Sequence, residues 1–329
     1  MKPANLVYFG SPAFSAEILT SLISSSWDGG PSEPVERGAD SQIGPKGLLP
    51  GETKINIVGV VTSPDKPQGR KQVLTPSPVS QLAAKYDLPV FKPEKLDPAN
   101  LRHLKLLKPD LFLVVAYGKI IPSSYLTTPA SGTFNTHFSL LPKYRGALPV
   151  SEALKNGDQE TGVSLMAMDD QLDHGPIISQ KKVSIDINDN CETLTTKLTQ
   201  AGIKLLSDYL PRLAGGSFTT IPQKESQATS TPSIKTRTRQ NAFVDWQTIQ
   251  AALAGTAAAT THNLIRSNNP DPSAWTKIPE SASGENNLEI KIIETTLLGD
   301  KLVIKLVQLP GKSPITWSSF TSGHPQWRS

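Results

Sequence analysis

Through the first two thirds of the chain, short apolar runs alternate with amphipathic stretches, the pattern that a parallel α/β sheet imposes on a sequence. Strands are expected near residues 5–9, 55–62, 88–91, 110–115 and 132–137. Helices fit between them at Pro12–Ser25, Pro78–Tyr86 and Asn100–Leu107. A last helix, Glu192–Leu213, carries Leu194, Leu198, Ile203, Leu205 and Leu206. Sheets of this class bind ligands beyond the carboxyl ends of their strands, so the segments that close strands are the places to look for chemistry.

With 329 residues the chain is long for one domain and comfortable for two. Residues 1–215 are expected to form the α/β domain, with a Gly-, Pro- and Ser-rich insertion at 27–54 from which no chemistry is expected. Residues 216–241 read as a linker, polar from Gln223 onward and carrying the basic run Lys235, Arg237 and Arg239. From 242 to 329 the β-branched runs 288–298 and 301–309 predict a small domain dominated by strands. Four of the five Trp residues lie there: Trp246, Trp275, Trp317 and Trp327.

Hydrophobic residues make up 37% and charged residues 19%, and no apolar run approaches the roughly 20 residues of a membrane helix. The N-terminal apolar stretch is too short for a secretion signal and reads as a first buried strand. Cys191 is the single cysteine, which leaves no internal disulfide and makes a reducing cytoplasm the expected setting. Residues 1–210 hold 21 basic and 21 acidic side chains, whereas 211–329 hold 12 and 8. The net charge of +4 therefore sits in the C-terminal part, the end a polyanion would prefer.

Several chemistries lose support. Phe9-Gly10-Ser11-Pro12-Ala13-Phe14 has one Gly where a dinucleotide turn wants three, and there is no phosphate-binding Walker loop. Five scattered His residues (103, 137, 174, 262, 324) have no metal-ligand spacing, and no Gly-x-Ser-x-Gly elbow offers a serine nucleophile. Metal-free acyl transfer, directly between two bound substrates, remains. Asn135 and His137 sit two apart at the end of an expected strand, so both side chains leave one face and can address one reacting atom. Asp173, in a turn bounded by Gly175-Pro176, is placed to orient that imidazole. An Asn amide and a His paired with a carboxylate are the donors a developing oxyanion needs, and the carboxylate or a bound water can take a proton.

The combination His137-x-Ser139-Leu140-Leu141-Pro142 followed by Arg145-Gly146, then Leu172-Asp173-x-Gly175-Pro176, resembles the formyltetrahydrofolate-dependent formyltransferases, most closely the branch acting on methionyl-tRNA. The resemblance extends over nearly the whole chain apart from 27–54. It includes Phe9-Gly10-Ser11-Pro12, Thr62–Pro67 with Gly69-Arg70, Pro76–Val79, Ala116-Tyr117-Gly118, Val244-Asp245-Trp246 and Gln308–Lys312. It implies a Rossmann-like parallel-sheet domain followed by a smaller OB-like β-barrel that helps hold tRNA. It also implies catalysis by Asn135, His137 and Asp173, folate binding by Ser139, Leu140, Leu141 and Pro142, and 10-formyltetrahydrofolate as donor substrate with no metal. The partner implied is initiator methionyl-tRNA, its phosphates meeting Lys66, Arg70 and Lys71 on the loop after the second strand, with Lys235, Arg237 and Arg239 as further candidates. A monomer without membrane contact is expected, in the cytoplasm or an organelle's bacterial-type translation compartment. Three features depart from the family pattern: His174 stands where Thr is usual, Asn269-Pro270-Asp271-Pro272-Ser273 replaces Asn-Pro-Trp-Pro-Gly, and the linker is basic where the family's is often acidic. The alternatives are a relative acting on glycinamide ribonucleotide or an amino sugar nucleotide, or a non-catalytic RNA-binding homologue.

Overall fold

The computed structural model describes residues 3–24, 54–69, 71–279 and 287–324; the expected insertion up to residue 53, Arg70 and Trp327 lie outside the described residues. The first part runs β1 (Ala4–Gly10), α1 (Ala13–Ser24), β2 (Ile55–Val61), β3 (Lys66–Gln68), β4 (Val73–Thr75), α2 (Pro78–Lys85), β5 (Val90–Phe91), α3 (Pro98–Leu106), β6 (Leu111–Val115), α4 (Ser123–Leu126) and β7 (Thr133–His137). It continues through α5 (Pro149–Asn156), β8 (Glu160–Ala167), β9 (Ile177–Ser184) and α6 (Cys191–Ala214). Helix starts follow local chemistry. Ser77 accepts the Ser80 N–H ahead of Pro78, and Asp97 accepts the Asn100 N–H ahead of Pro98, each supplying one orphan donor with a partner.

These strands form a seven-stranded sheet in the order β5-β2-β1-β6-β7-β8-β9. The five strands β5 to β7 in that order are parallel, as the sequence predicts, and β8 runs antiparallel to β7. Strand order reverses between β1 and β6, the kind of switch point that opens a crevice at the carboxyl ends. Gly10, which ends β1, owes its identity to close packing. A Cβ there would lie 2.0 Å from Ser15 Oγ and 2.9 Å from the Val115 carbonyl oxygen. On one face Val7, Phe9, Phe112, Val114, Tyr117 and Tyr125 form a buried cluster with Leu101 and Leu104. Burying each large side chain contributes about 1.5–3 kcal/mol.

The C-terminal part consists of α7 (Trp246–Leu253), α8 (Ala258–Asn268), β10 (Trp275–Pro279), β11 (Asn287–Leu298), β12 (Lys301–Gln308), β13 (Ile315–Thr316) and α9 (Trp317–Gly323). Its four strands make one antiparallel sheet in sequence order, the small β domain that the β-branched runs predict. Trp246 and Phe320 are buried with Ile249, Ile265, Ile290 and Ile304, and Trp317 packs against that core.

Compactness divides the chain into two units. One comprises residues 1–137, 163–181 and 199–224; the other comprises 138–162, 182–198 and 225–329. Among the described residues no helix is long and apolar enough to cross a membrane.

Candidate active site

β7 is short and fully buried, and its register fixes the site. Asn135 lies opposite Met166 of β8 and His137 opposite Ser164, so the two side chains, two residues apart, share a face at the strand's carboxyl end. Both are buried, 8% and 6% exposed. A buried amide and imidazole need partners, and Asp173 from the loop between β8 and β9 supplies one. Asn135 Nδ2 donates to Asp173 Oδ1 at 3.2 Å, and His137 Nδ1 lies 3.6 Å from Asp173 Oδ2. One carboxylate thus faces both side chains; the sequence pattern expects it beside His137 and does not mark its bond to Asn135.

The Asp173 turn is built for that position. Asp173 itself has φ +49°, in the left-handed region that Asp tolerates better than most residues. Two positions on, a Cβ at Gly175 would sit 1.9 Å from the Ala167 carbonyl oxygen, so only Gly lets the chain pass β8 here. Pro176 then accepts the Ala167 N–H at 3.0 Å. Gln223 clamps the turn from outside, its Nε2 donating to the Asp173 carbonyl at 2.9 Å and the Gly175 carbonyl at 2.8 Å. Composition assigns Gln223 to a linker. Nothing local marks a contact that spans 50 residues.

His174, the departure from the family pattern, pairs with Asp169: its Nδ1 lies 2.6 Å from Asp169 Oδ2, and both side chains are about a third exposed. Its ring is therefore committed to a carboxylate other than Asp173.

At the ends of β1 and β2 a chain of hydroxyls joins segments far apart in sequence. Thr62 Oγ1 lies 2.6 Å from Ser77 Oγ and 3.4 Å from Ser11 Oγ, which accepts the Ser63 N–H and donates to the Tyr117 carbonyl. Tyr117 stacks edge-on against Phe9, and burial, followed by the proximity of Tyr125, pushes its phenol up to about 12. Its hydroxyl is buried without a hydrogen-bond partner among the described residues.

Ser139–Pro142 follows His137 after one residue, Phe138. Ser139 is fully buried and its hydroxyl donates to the Lys143 carbonyl at 2.6 Å, closing a tight loop that holds Leu141 inside and leaves Leu140 and Pro142 half-buried. Leu140 and Pro142 line a cleft of about 660 Å³ together with Tyr144, Asp158 and Gln227.

The two basic stretches differ. Lys66 and Lys71 are exposed on and beside the β3–β4 hairpin. Lys119, whose ammonium donates to the Pro93 and Glu94 carbonyls at 2.7 Å each, has its pKa lowered by burial and then by Lys66. In the other stretch Lys235 is exposed, whereas Arg237 donates to the Ser267 and Asp271 carbonyls. Arg239 pairs with Glu289 while its guanidinium lies 4.4 Å from the centre of the Trp275 ring.

A family model described as formyl transferase matches residues 46–210. The methionyl-tRNA formyltransferase of Kosmotoga olearia is 36% identical over 276 residues, covering 84% of this chain and 76% of that protein. The chain belongs to the methionyl-tRNA formyltransferase family. The Staphylococcus aureus member is 37% identical over 287 residues, covering 82% of this chain and 89% of its own. A sugar N-formyltransferase from a Shewanella species superposes with a TM-score of 0.61 over 90% of this chain and 99% of its own; at 14% identity it reports a shared fold.

Proposed function

We propose that the protein transfers the formyl group of 10-formyltetrahydrofolate to the α-amine of methionine on initiator tRNA. The observation that carries the chemistry is one carboxylate, Asp173, bonded to the Asn135 amide and facing the His137 imidazole. The Asn135 NH2 has two hydrogens and gives one to Asp173, so the second is free to meet the formyl oxygen as it gains charge. His137 donates to the same oxygen. Asp173 orients and supports the imidazole, and it or a water it holds accepts the amine proton. Across the reaction the amine loses one proton and the departing folate nitrogen gains one.

When bound, the folate supplies the activated formyl group. Ser139, Leu140, Leu141 and Pro142 are assigned to its binding because they follow one residue after His137 and include half-buried apolar side chains. The acceptor reading draws on the 36–37% identity with relatives named methionyl-tRNA formyltransferase and on the exposed Lys66 and Lys71. Arg70 and Lys235 are assigned to phosphate contact with them. Arg237 and Arg239 belong to this set only if they exchange their present partners. In this reading residues 1–215 form the catalytic domain, 216–241 join it to the rest, and 242–329 hold tRNA; the enzyme works as a cytoplasmic monomer.

Incubation with 10-formyltetrahydrofolate and each acceptor in turn tests this. Formylated initiator methionyl-tRNA is the expected product. Formylation of glycinamide ribonucleotide or an amino sugar nucleotide in its place would overturn the acceptor assignment, and no product with any amine would leave the RNA-binding alternative.

A further inference from the structure

The loop that continues from the Ser139–Pro142 segment is held by residues about eighty positions later in the chain. Tyr144 has φ +62°, a left-handed conformation that a bulky side chain rarely adopts, and Gly146 follows at φ +115°. Backbone of this kind persists only where its surroundings fix it. Here they do so through a run of bonds from one stretch. The Tyr144 N–H donates to Thr229 Oγ1 at 2.9 Å and the Arg145 N–H to the Thr229 carbonyl at 2.8 Å. In return the Thr231 N–H donates to the Arg145 carbonyl at 2.7 Å and the Thr229 N–H to the Pro142 carbonyl at 3.2 Å. The Leu148 N–H reaches Thr231 Oγ1 at 3.2 Å. Arg145, 9% exposed, adds a two-pronged pair to Glu225 at 2.6 and 3.0 Å. The approach is close enough that a Cβ on Gly146 would lie 2.5 Å from Thr231 Oγ1.

We infer that Glu225–Thr231 is a positioning strap that fixes the Ser139–Leu148 loop in its donor-binding shape, with Thr229 as its central residue. This rests on the proposed assignment of Ser139–Pro142 to folate. The strap and the loop also share the walls of the 660 Å³ cleft, through Gln227 on one side and Leu140, Pro142 and Tyr144 on the other. Without the strap, Tyr144 relaxes out of the left-handed region and the loop samples other shapes. Donor binding must then restore order, and affinity falls by the fraction of competent loop. The bonds lie in the loop and not at the reacting atoms, so turnover at saturating donor is preserved.

The test uses the full-length chain with Thr229→Ala, Thr229→Ser and Glu225→Gln, measuring KM for each substrate, kcat and the melting curve. Thr229→Ala is expected to raise the donor KM about tenfold, equivalent to about 1.4 kcal/mol, with kcat and the tRNA KM within about twofold. Thr229→Ser restores the donor KM because its hydroxyl accepts the same amide hydrogen, and Glu225→Gln falls between. An unchanged donor KM in folded Thr229→Ala, or equal losses of kcat and both affinities in step with a lost folded fraction, would overturn the strap. Leu140→Asp separates the two readings. If it abolishes donor binding while Thr229→Ala does not, the strap alone fails; if it too leaves the donor KM unchanged, the folate assignment itself fails.

Discussion

The β3–β4 hairpin and the stretch 235–239 both present cations spaced along a polar segment, yet the fold treats them in opposite ways. Lys66 and Lys71 stand exposed with no ion pair among the described residues, and nearby Lys119 adds like charge, its pKa lowered. Arg237 and Arg239 are spent on carbonyls, a glutamate and a tryptophan ring of the C-terminal part. The planar guanidinium suits such multi-partner anchoring, whereas a lysine ammonium on a flexible stem is easily left in water. Cation count in the sequence does not distinguish cations left exposed to water from cations consumed by their own fold. Residue type and the availability of partners do.

The sharpest contrast to test lies within the catalytic turn. Asp173→Asn keeps the side chain's shape and removes the charge facing His137, and Asn135→Ala removes the amide proposed as an oxyanion donor. Each is expected to lower kcat by roughly a hundredfold or more with little change in the melting curve. His174→Ala, next in the chain but bonded to Asp169, should cost less than about twofold. A larger loss from His174→Ala than from Asp173→Asn would reverse the roles given to these neighbours.

The two basic stretches come next. Replacing Lys66 and Lys71 together with Ala should raise the tRNA KM several-fold at low salt and flatten its salt dependence, by roughly one unit of log–log slope per phosphate contact. Folate KM should not move. Arg237→Ala and Arg239→Ala should instead lower the melting temperature while leaving that slope as it was. The Arg239–Glu289 pair is about half and a third exposed, so its share of stability is at most about 1 kcal/mol. A flattened salt dependence in Arg239→Ala would assign this residue to tRNA after all.

How legible these features were in the sequence follows from how local their causes are. β1, β2, β6 and β7 fall within a residue or two of their expected bounds; in β1 and β6, buried on both faces, the cause is a continuous apolar run. β8 is almost as buried, but its Thr, Gly and Ser interrupt the run, and it is absent from the expected strands. The β3–β4 hairpin has three residues a side, all exposed but the half-buried Thr75, and carries no periodicity. α5, absent from the expected helices, does carry signals, Pro149 at its start and Gly157 in the left-handed region at its end. Asn135, His137 and Asp173 were readable because spacing and a Gly-Pro turn are local. The Gln223 clamp and the Thr229 strap are not, since each is a contact across 48 to 85 residues inside a segment whose composition says linker.

The smallest expected effect concerns the fastening of the loop 185–190. His262 is buried on α8, with Nε2 2.7 Å from the Ile187 carbonyl and Nδ1 2.8 Å from Thr295 Oγ1. The carbonyl can only accept, so Nε2 carries the proton and Nδ1 takes the threonine hydroxyl in the neutral ring. Burial lowers its pKa below the usual 6.5, an effect the Ile187 carbonyl opposes and the charges of Arg266 and Lys305 reinforce. Arg266 ties the same loop through the Asp186 carbonyl at 2.8 Å. With the folded pKa depressed, the unfolded chain binds more protons at mildly acid pH. This contribution to stability is therefore fully present above about 6.5 and is lost as pH falls through the folded value. Melting temperature measured between pH 8 and pH 5 should decline on the acid side, and His262→Gln should be less stable at pH 8 yet show a shallower decline. An acid limb equally steep in the variant would mean that other groups set the pH dependence, and that the His262 contacts serve only to pack α8 against the loop.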